Sequence, residues 1–189
     1  MNTVDPAARR KSRLHLLLIA LVFLGPLIAA GVLSLAGWQP GVAGEGQPIL
    51  PQRNFAQENV RVLLENGQPW LWRDSKPRLT LVALAGPDCA TRCVQGLTNL
   101  AKARVMLNRN QSRLRLLYLG QPPASAAAGG MRNYWEIGKD VDGRLAVYRP
   151  ATADSVSAVL VESNGTALAL YPAGMDAASL LRDMRKVIR

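Results

Sequence analysis

The amino-acid sequence predicts an α/β domain held behind a single N-terminal transmembrane helix. Three observations lead there. Leu16 to Trp38 is one apolar segment without a formal charge. Beyond Val60, short apolar strand patterns alternate with helical periodicity and end in an amphipathic helix. About 150 of the 189 residues follow the apolar segment, the usual scale of one domain. Aromatic residues make up only 5%, so Leu, Val and Ala must build the core.

Residues 1–15 form a basic arm, with Arg9, Arg10, Lys11 and Arg13 against Asp5. Residues 16–38 form the expected span. At about 1.5 Å per residue a helix of that length covers roughly 34 Å, enough for a hydrocarbon core of about 30 Å. Pro26 kinks such a helix, which membrane helices tolerate. Trp38 falls at the exit end, where an indole prefers the interface. Basic flanks stay cytoplasmic, so the C-terminal domain is expected on the far side. In a bacterium that is the periplasm, behind the inner membrane. The competing reading is a signal peptide cleaved near Ser34-Leu35-Ala36, but the apolar run exceeds the roughly 7–15 residues of such segments. His15 is the sole histidine and reads as an interface residue at the cytoplasmic edge.

Residues 39–54 read as a linker, because Gln39 to Pro51 is dense in proline and glycine. The domain then occupies 55–189. Val60 to Leu64 is a short strand pattern, with Asn66-Gly67 as its turn and Trp70 to Trp72 as its hairpin partner. Leu79 to Ala85 is continuously apolar, as suits a central strand covered on both faces. Cys89 to Leu107 turns helical, and Leu114 to Leu119 is a second strand, giving a parallel crossover unit. Pro122 to Gly130 reads as a loop, Tyr134 to Ile137 as helical, and Leu145 to Tyr148 as a short strand. Ser157 to Val161 and Leu168 to Tyr171 flank Asn164-Gly165 as a hairpin. Met175 to Ile188 closes the chain as a helix with Leu180, Leu181, Met184, Val187 and Ile188 on its apolar stripe.

The formal charge is +10, yet the basic residues are scattered, with no lysine run and no aromatic-interleaved patch. That argues against nucleic acid. An anionic membrane surface or an acidic protein partner fits a tethered domain.

Cys89 and Cys93 are the only cysteines, spaced C-x-x-x-C after the best strand and at the start of the best helix. Helix positions i and i+4 have Cα atoms roughly 6.2 Å apart, inside the usual disulfide window of about 4.4–6.8 Å. Both sulfurs face the same way, so they could form a disulfide or hold one soft metal ion. A helix N-terminus stabilises a thiolate, and Arg92 adds positive charge. Asp88 opposes this unless its carboxylate caps the helix. A structural disulfide in an exported protein is the plainer alternative.

The segments LTLVALAGPDCATRCVQGLTNL and NGTALALYPAG, behind an N-terminal anchor, resemble the Sco/SenC proteins. These are thioredoxin-like copper chaperones of cytochrome c oxidase assembly. The chain is also similar to the small Sco-like membrane protein encoded among oxidase assembly genes. The resemblance implies a thioredoxin-like domain over 55–189, a redox role for Cys89 and Cys93, and a partner in a respiratory oxidase or its assembly machinery. It also implies Cu(I) binding, with Cys89 and Cys93 as ligands. The family's third ligand is a histidine shortly before the final hairpin. The corresponding stretch here, Ala153 to Ser157, has none. Ala90 stands after the first cysteine where the family tends to have proline, and the C-x-x-C of thioredoxins is absent. Two thiolates can bind Cu(I) alone or with a methionine, for which Met131 and Met175 are the candidates.

Three functions follow as expectations. The first is an anchored periplasmic factor of oxidase assembly, acting by thiol-disulfide exchange or weak Cu(I) handling. The second is a non-catalytic scaffold of the same fold that binds a membrane partner. The third is a general thiol-disulfide oxidoreductase of the TlpA type. With His15 outside the domain, Ser-His and Cys-His mechanisms are excluded. Asp140 and Asp142 read as a solvated turn into Gly143, and no phosphate-binding glycine loop occurs.

Overall fold

The computed structural model describes residues 6–35, 46–123 and 130–188; within its first helix, side chains are described at residue 15 and over 19–32. The chain divides into two units, residues 1–43 and 44–189. In the first, Pro6–Leu35 is one helix, α1, with Pro26 inside it. Its apolar side chains stand exposed all round, among them Ile19, Leu21, Phe23, Leu27, Ile28 and Val32. Among the described residues, no helix is long and apolar enough to cross a membrane. The described side chains over 19–32 cover about 21 Å of helix, short of a core of about 30 Å. The expected span over 16–38 lies partly outside the described residues, and Trp38 is wholly outside them.

The second unit is a seven-stranded sheet covered on both faces. Its strands are β1 (Gln47–Pro48), β2 (Val62–Leu64), β3 (Leu79–Ala85), β4 (Leu114–Leu119), β5 (Glu136–Asp140), β6 (Val156–Val161) and β7 (Ala167–Tyr171). Two helices belong to it, α2 (Thr91–Val105) and α3 (Ala177–Val187). The spatial order is β1-β7-β6-β3-β4-β5-β2.

β3 is central, and every residue in it is buried. It pairs in parallel with β4, Leu79 opposite Leu114 through Leu84 opposite Leu119. On its other side it pairs antiparallel with β6, Thr80 opposite Val161 through Ala85 opposite Val156. Because β6 runs the other way, its first residue lies beside the last residue of β3. The loop entering β6 therefore meets the loop leaving β3.

Side-chain alternation along β3 splits the core in two. Leu81, Ala83 and Ala85 pack under α2 and α3 with Leu97, Leu100, Leu180 and Met184. Val82 and Leu84 face the other way, against Phe55, Trp72, Leu145 and Tyr148. Burial on both faces explains why β3 reads as unbroken apolar sequence rather than as alternation.

Several local expectations are corrected. Trp70 and Trp72 form no second strand; beyond a bridge from Leu63 to Pro69 the chain leaves the sheet, and both indoles are buried in the second core. The ladder partner of β2 is instead β5. The stretch from Tyr134 to Ile137 is not helical: Tyr134 lies in a turn, and Glu136 and Ile137 begin β5, parallel to β4. Leu145 to Tyr148 is no strand, since Ala146–Tyr148 is a single 3-10 turn. On α3, Val187 is half exposed while the other stripe residues are buried. Within the stretch read as linker, Gln47 and Pro48 pair with Leu170 and Ala169 of β7.

Candidate thiol-disulfide site

β3 ends at Ala85, and the chain turns sharply into α2. The Gly86 N–H donates to the Ser155 carbonyl at 2.9 Å. A Cβ at Gly86 would lie 2.6 Å from the Thr152 carbonyl oxygen and 3.0 Å from that of Pro150, so only glycine fits between these loops. One residue on, the Pro87 carbonyl accepts the Asp154 N–H at 2.9 Å. Asp88 then takes a left-handed conformation at φ 53°, a region in which Asp is better tolerated than most residues. That reversal delivers Cys89 to the mouth of α2.

Cys89 and Cys93 are joined by a disulfide. Their Cα atoms are 5.2 Å apart, closer than two helical positions would stand, because Cys89 precedes α2 and only Cys93 lies in its first turn. Cys93 is fully buried in the first core. Cys89 is half buried at the edge of that core. The two cysteines of the bridge therefore differ in exposure, Cys89 being the more open residue.

The first turn of α2 has no acidic residue and no side-chain cap from its own N-cap, Ala90. Asp154 supplies the cap from the loop entering β6. Its Oδ1 accepts the N–H groups of Ala90 at 2.8 Å and Cys93 at 2.9 Å. Its Oδ2 accepts the Arg92 N–H at 3.0 Å and Arg92 Nε at 3.4 Å. One carboxylate thus serves three of the orphan donors that open a helix. The Cys93 N–H above all, then those of Arg92 and Ala90, hold the Asp154 carboxyl below its usual range against the cost of desolvation. Asp154 itself sits at φ 51°, a conformation kept by the backbone bonds on either side of it.

The cap comes from Asp154 and not from Asp88, whose capping the sequence offers only as the condition on which it would not oppose a thiolate. Spacing could not reveal it, since Asp154 lies 61 to 64 positions from the amides it binds. The available signal was indirect: a helix start without its own cap, and a lone carboxylate where the resemblance called for histidine.

The remaining candidates fall elsewhere. Met131 is buried as core filler beside α2. Met175 is half buried against the first core and lines, with Arg92, Gln95 and Asp154, a cleft of about 420 Å³ beside the start of α2. A larger apolar groove of about 680 Å³, lined by Val94, Ala101, Val105, Met131 and Trp135, includes neither cysteine. His15 is exposed in α1, in the other unit. Asp140 is buried, its Oδ2 accepting the Leu145 N–H at 2.8 Å, while Asp142 pairs with Arg61. The two carboxylates have separate structural partners and do not form one site.

A three-donor copper site is not assembled from these residues. The two sulfurs are bonded to each other. The loop before β6 brings to the start of α2 a hard carboxylate, both of whose oxygens hold N–H donors; Cu(I) prefers soft donors. Among the described residues, no group of three His, Cys, Asp or Glu side chains is placed to hold a metal.

Residues 79–189 match the family described as transmembrane-like, thioredoxin-like, C-terminal domain. No curated protein matches the chain. Among solved structures, copper-bound ScoI of Arabidopsis thaliana is similar at 14% identity and a TM-score of 0.53, over 77% of this chain and 99% of that one. The apo Sco1 protein of Thermus thermophilus is similar at 16% identity and 0.51, over 78% and 99%. The bacterioferritin comigratory protein of Xanthomonas campestris, studied for alkyl peroxide reduction, is similar at 11% identity and 0.50, over 77% and 97%. At these identities the likeness is one of fold: a thioredoxin-like domain.

Proposed function

Because the chain belongs to the transmembrane-like, thioredoxin-like family, we propose that it is a membrane-anchored thiol-disulfide exchange protein serving cytochrome c oxidase assembly, with Cys89 and Cys93 as its reactive pair. The observation that carries this reading is the asymmetry of the disulfide, which joins a partly exposed residue, Cys89, to a buried one, Cys93, at a helix start. A purely structural role gains little from so short a ring. The chain-entropy contribution is roughly 2 kcal/mol, against about 4.7 for a hundred-residue loop.

The exchange step follows from access. A thiolate of a partner dithiol protein attacks Sγ of Cys89. The Cys89–Cys93 bond breaks, and Cys93 leaves as a thiolate that takes a proton. The partner's second thiol then displaces Cys89 from the mixed disulfide. The partner ends oxidised, and this pair ends reduced by two electrons and two protons. The reverse sequence oxidises a partner dithiol.

Three observations support the anchor. An apolar helix exposed all round its circumference is stable only in an apolar solvent. The sequence from Leu16 to Trp38 is long enough to span. The basic arm favours a cytoplasmic N-terminus and a periplasmic domain at the bacterial inner membrane. The resemblance to Sco proteins supports an oxidase partner. The test replaces Cys89 and Cys93 together by serine and measures oxidase activity and copper loading in cells. We expect both to fall. Full activity and copper loading would sink the exchange role and leave the scaffold reading, which the missing third soft donor favours.

A further inference from the structure

We propose that Asp154 sets the redox poise of the Cys89–Cys93 pair: its carboxylate occupies the end of α2 that would otherwise stabilise a cysteine thiolate, and so favours the disulfide. The inference rests on the exchange reading above and adds a residue outside the cysteine motif.

At an open helix start, the free N–H groups and the positive end of the helix dipole stabilise a thiolate. Here the N–H groups of Ala90, Arg92 and Cys93 all point at Asp154, at 2.8 to 3.0 Å. When reduction releases the Cys93 thiolate, that sulfur shares the helix end with a fixed negative charge. Two like charges in one site disfavour each other. The disulfide carries no charge and meets no such opposition. Arg92 is the counterweight. Its guanidinium reaches Oδ2 from the solvent side at 3.4 Å, and its side chain is 74% exposed, so it offsets the carboxylate only in part.

The loop does not depend on the carboxylate for its position. The bonds from the Gly86 N–H to the Ser155 carbonyl and from the Asp154 N–H to the Pro87 carbonyl are made by backbone alone. Asp154→Asn therefore removes the charge while leaving a side chain that caps helices well. Asp154→Ala removes both. Asp154 acts here as a positioning and poising residue, not as a reacting group.

The test uses the full chain in detergent micelles, equilibrated with reduced and oxidised dithiothreitol at fixed pH, with the free thiols of Cys89 and Cys93 counted by alkylation. The pH is held above the titration of the Cys93 thiol. Dithiothreitol then gives up two electrons and closes its own disulfide; one of its protons goes to Cys89 and the other to solvent, and Cys93 stays a thiolate. Where both cysteines are protonated, no shift is expected. We expect Asp154→Asn and Asp154→Ala each to raise the equilibrium constant for reduction about tenfold, which corresponds to about 30 mV for a two-electron couple. We expect Arg92→Gln to move it the opposite way.

An unmoved constant in Asp154→Asn overturns the inference even if Asp154→Ala shifts, since that pattern is the signature of capping alone. A shift of Asp154→Asn and Arg92→Gln in the same direction overturns it too. Thermal unfolding of each variant shows that the folded protein is what is titrated. The exchange reading fails separately, if the wild-type pair stays oxidised in excess dithiothreitol. In that case reduction of Asp154→Asn supports the inference, and its resistance overturns both.

Discussion

Oδ1 of Asp154 accepts the backbone N–H of Cys93 at 2.9 Å, joining residues 61 positions apart. This bond ties the buried cysteine to the loop that enters β6.

Cys93→Ser leaves the half-exposed Cys89 free, whereas Cys89→Ser leaves only the buried Cys93. In membranes treated with an alkylating quench, Cys93→Ser is expected to accumulate mixed disulfides at least several-fold over Cys89→Ser on non-reducing gels. Equal trapping by both variants contradicts the assignment of Cys89 as the attacked sulfur.

Gly86→Ala places a methyl group 2.6 Å from the Thr152 carbonyl oxygen. Neither side of that contact is a flexible side chain, so a loop must move. The expected cost is about 1–3 kcal/mol in urea unfolding. Hydrogen exchange at Ala90, Arg92 and Cys93 should accelerate beyond the global change, because the Asp154 cap is displaced with the loop.

Leu180 is fully buried between α3 and the sheet, while Val187 on the same helix is half exposed. Leu180→Ala should cost about 2–5 kcal/mol. Val187→Ala should stay within about 0.5 kcal/mol. Similar losses in chemical denaturation contradict the orientation of α3.

Acid should destabilise the domain. The carboxyls of Asp154, Asp74, Asp142 and Glu58 are all held below their ordinary values, by the Cys93 N–H, the Lys76 N–H, the Arg61 guanidinium and the Arg53 guanidinium first in each case. A carboxyl with a lowered folded-state pKa contributes stability that is full above its unfolded value, near 4. That contribution is lost as pH falls through the folded value. The unfolding midpoint should therefore be level between about pH 5 and about pH 9 and drop below about pH 4. No drop at all contradicts the bonding described at these four groups.

The elements legible in the sequence are those whose apolar side chains mark their period. β3 is one unbroken apolar run because both of its faces are covered. α2 shows Leu97, Leu100 and Ala101 at helical spacing. The β6–β7 hairpin announces itself by Asn164-Gly165, with Gly165 at φ 92°. β5 escaped because Glu136 to Asp140 holds a single large apolar side chain, Ile137; it is a strand by its ladders to β4 and β2. Trp70 and Trp72 carry the alternation of a ladder strand, yet the fold uses their rings as core. At the site, Cys89 and Cys93 were legible because their spacing is local. Asp154 was not, because an antiparallel strand brings it home from far along the chain.

Both margins of the sheet are blunt. One ends on the two residues of β1, where Pro48 has no amide hydrogen to offer, and the other on the three residues of β2. A long bare margin would let neighbouring copies stack strand to strand. Short margins, one of them stopped by a proline, remove that template, so copies can collide at high concentration without polymerising.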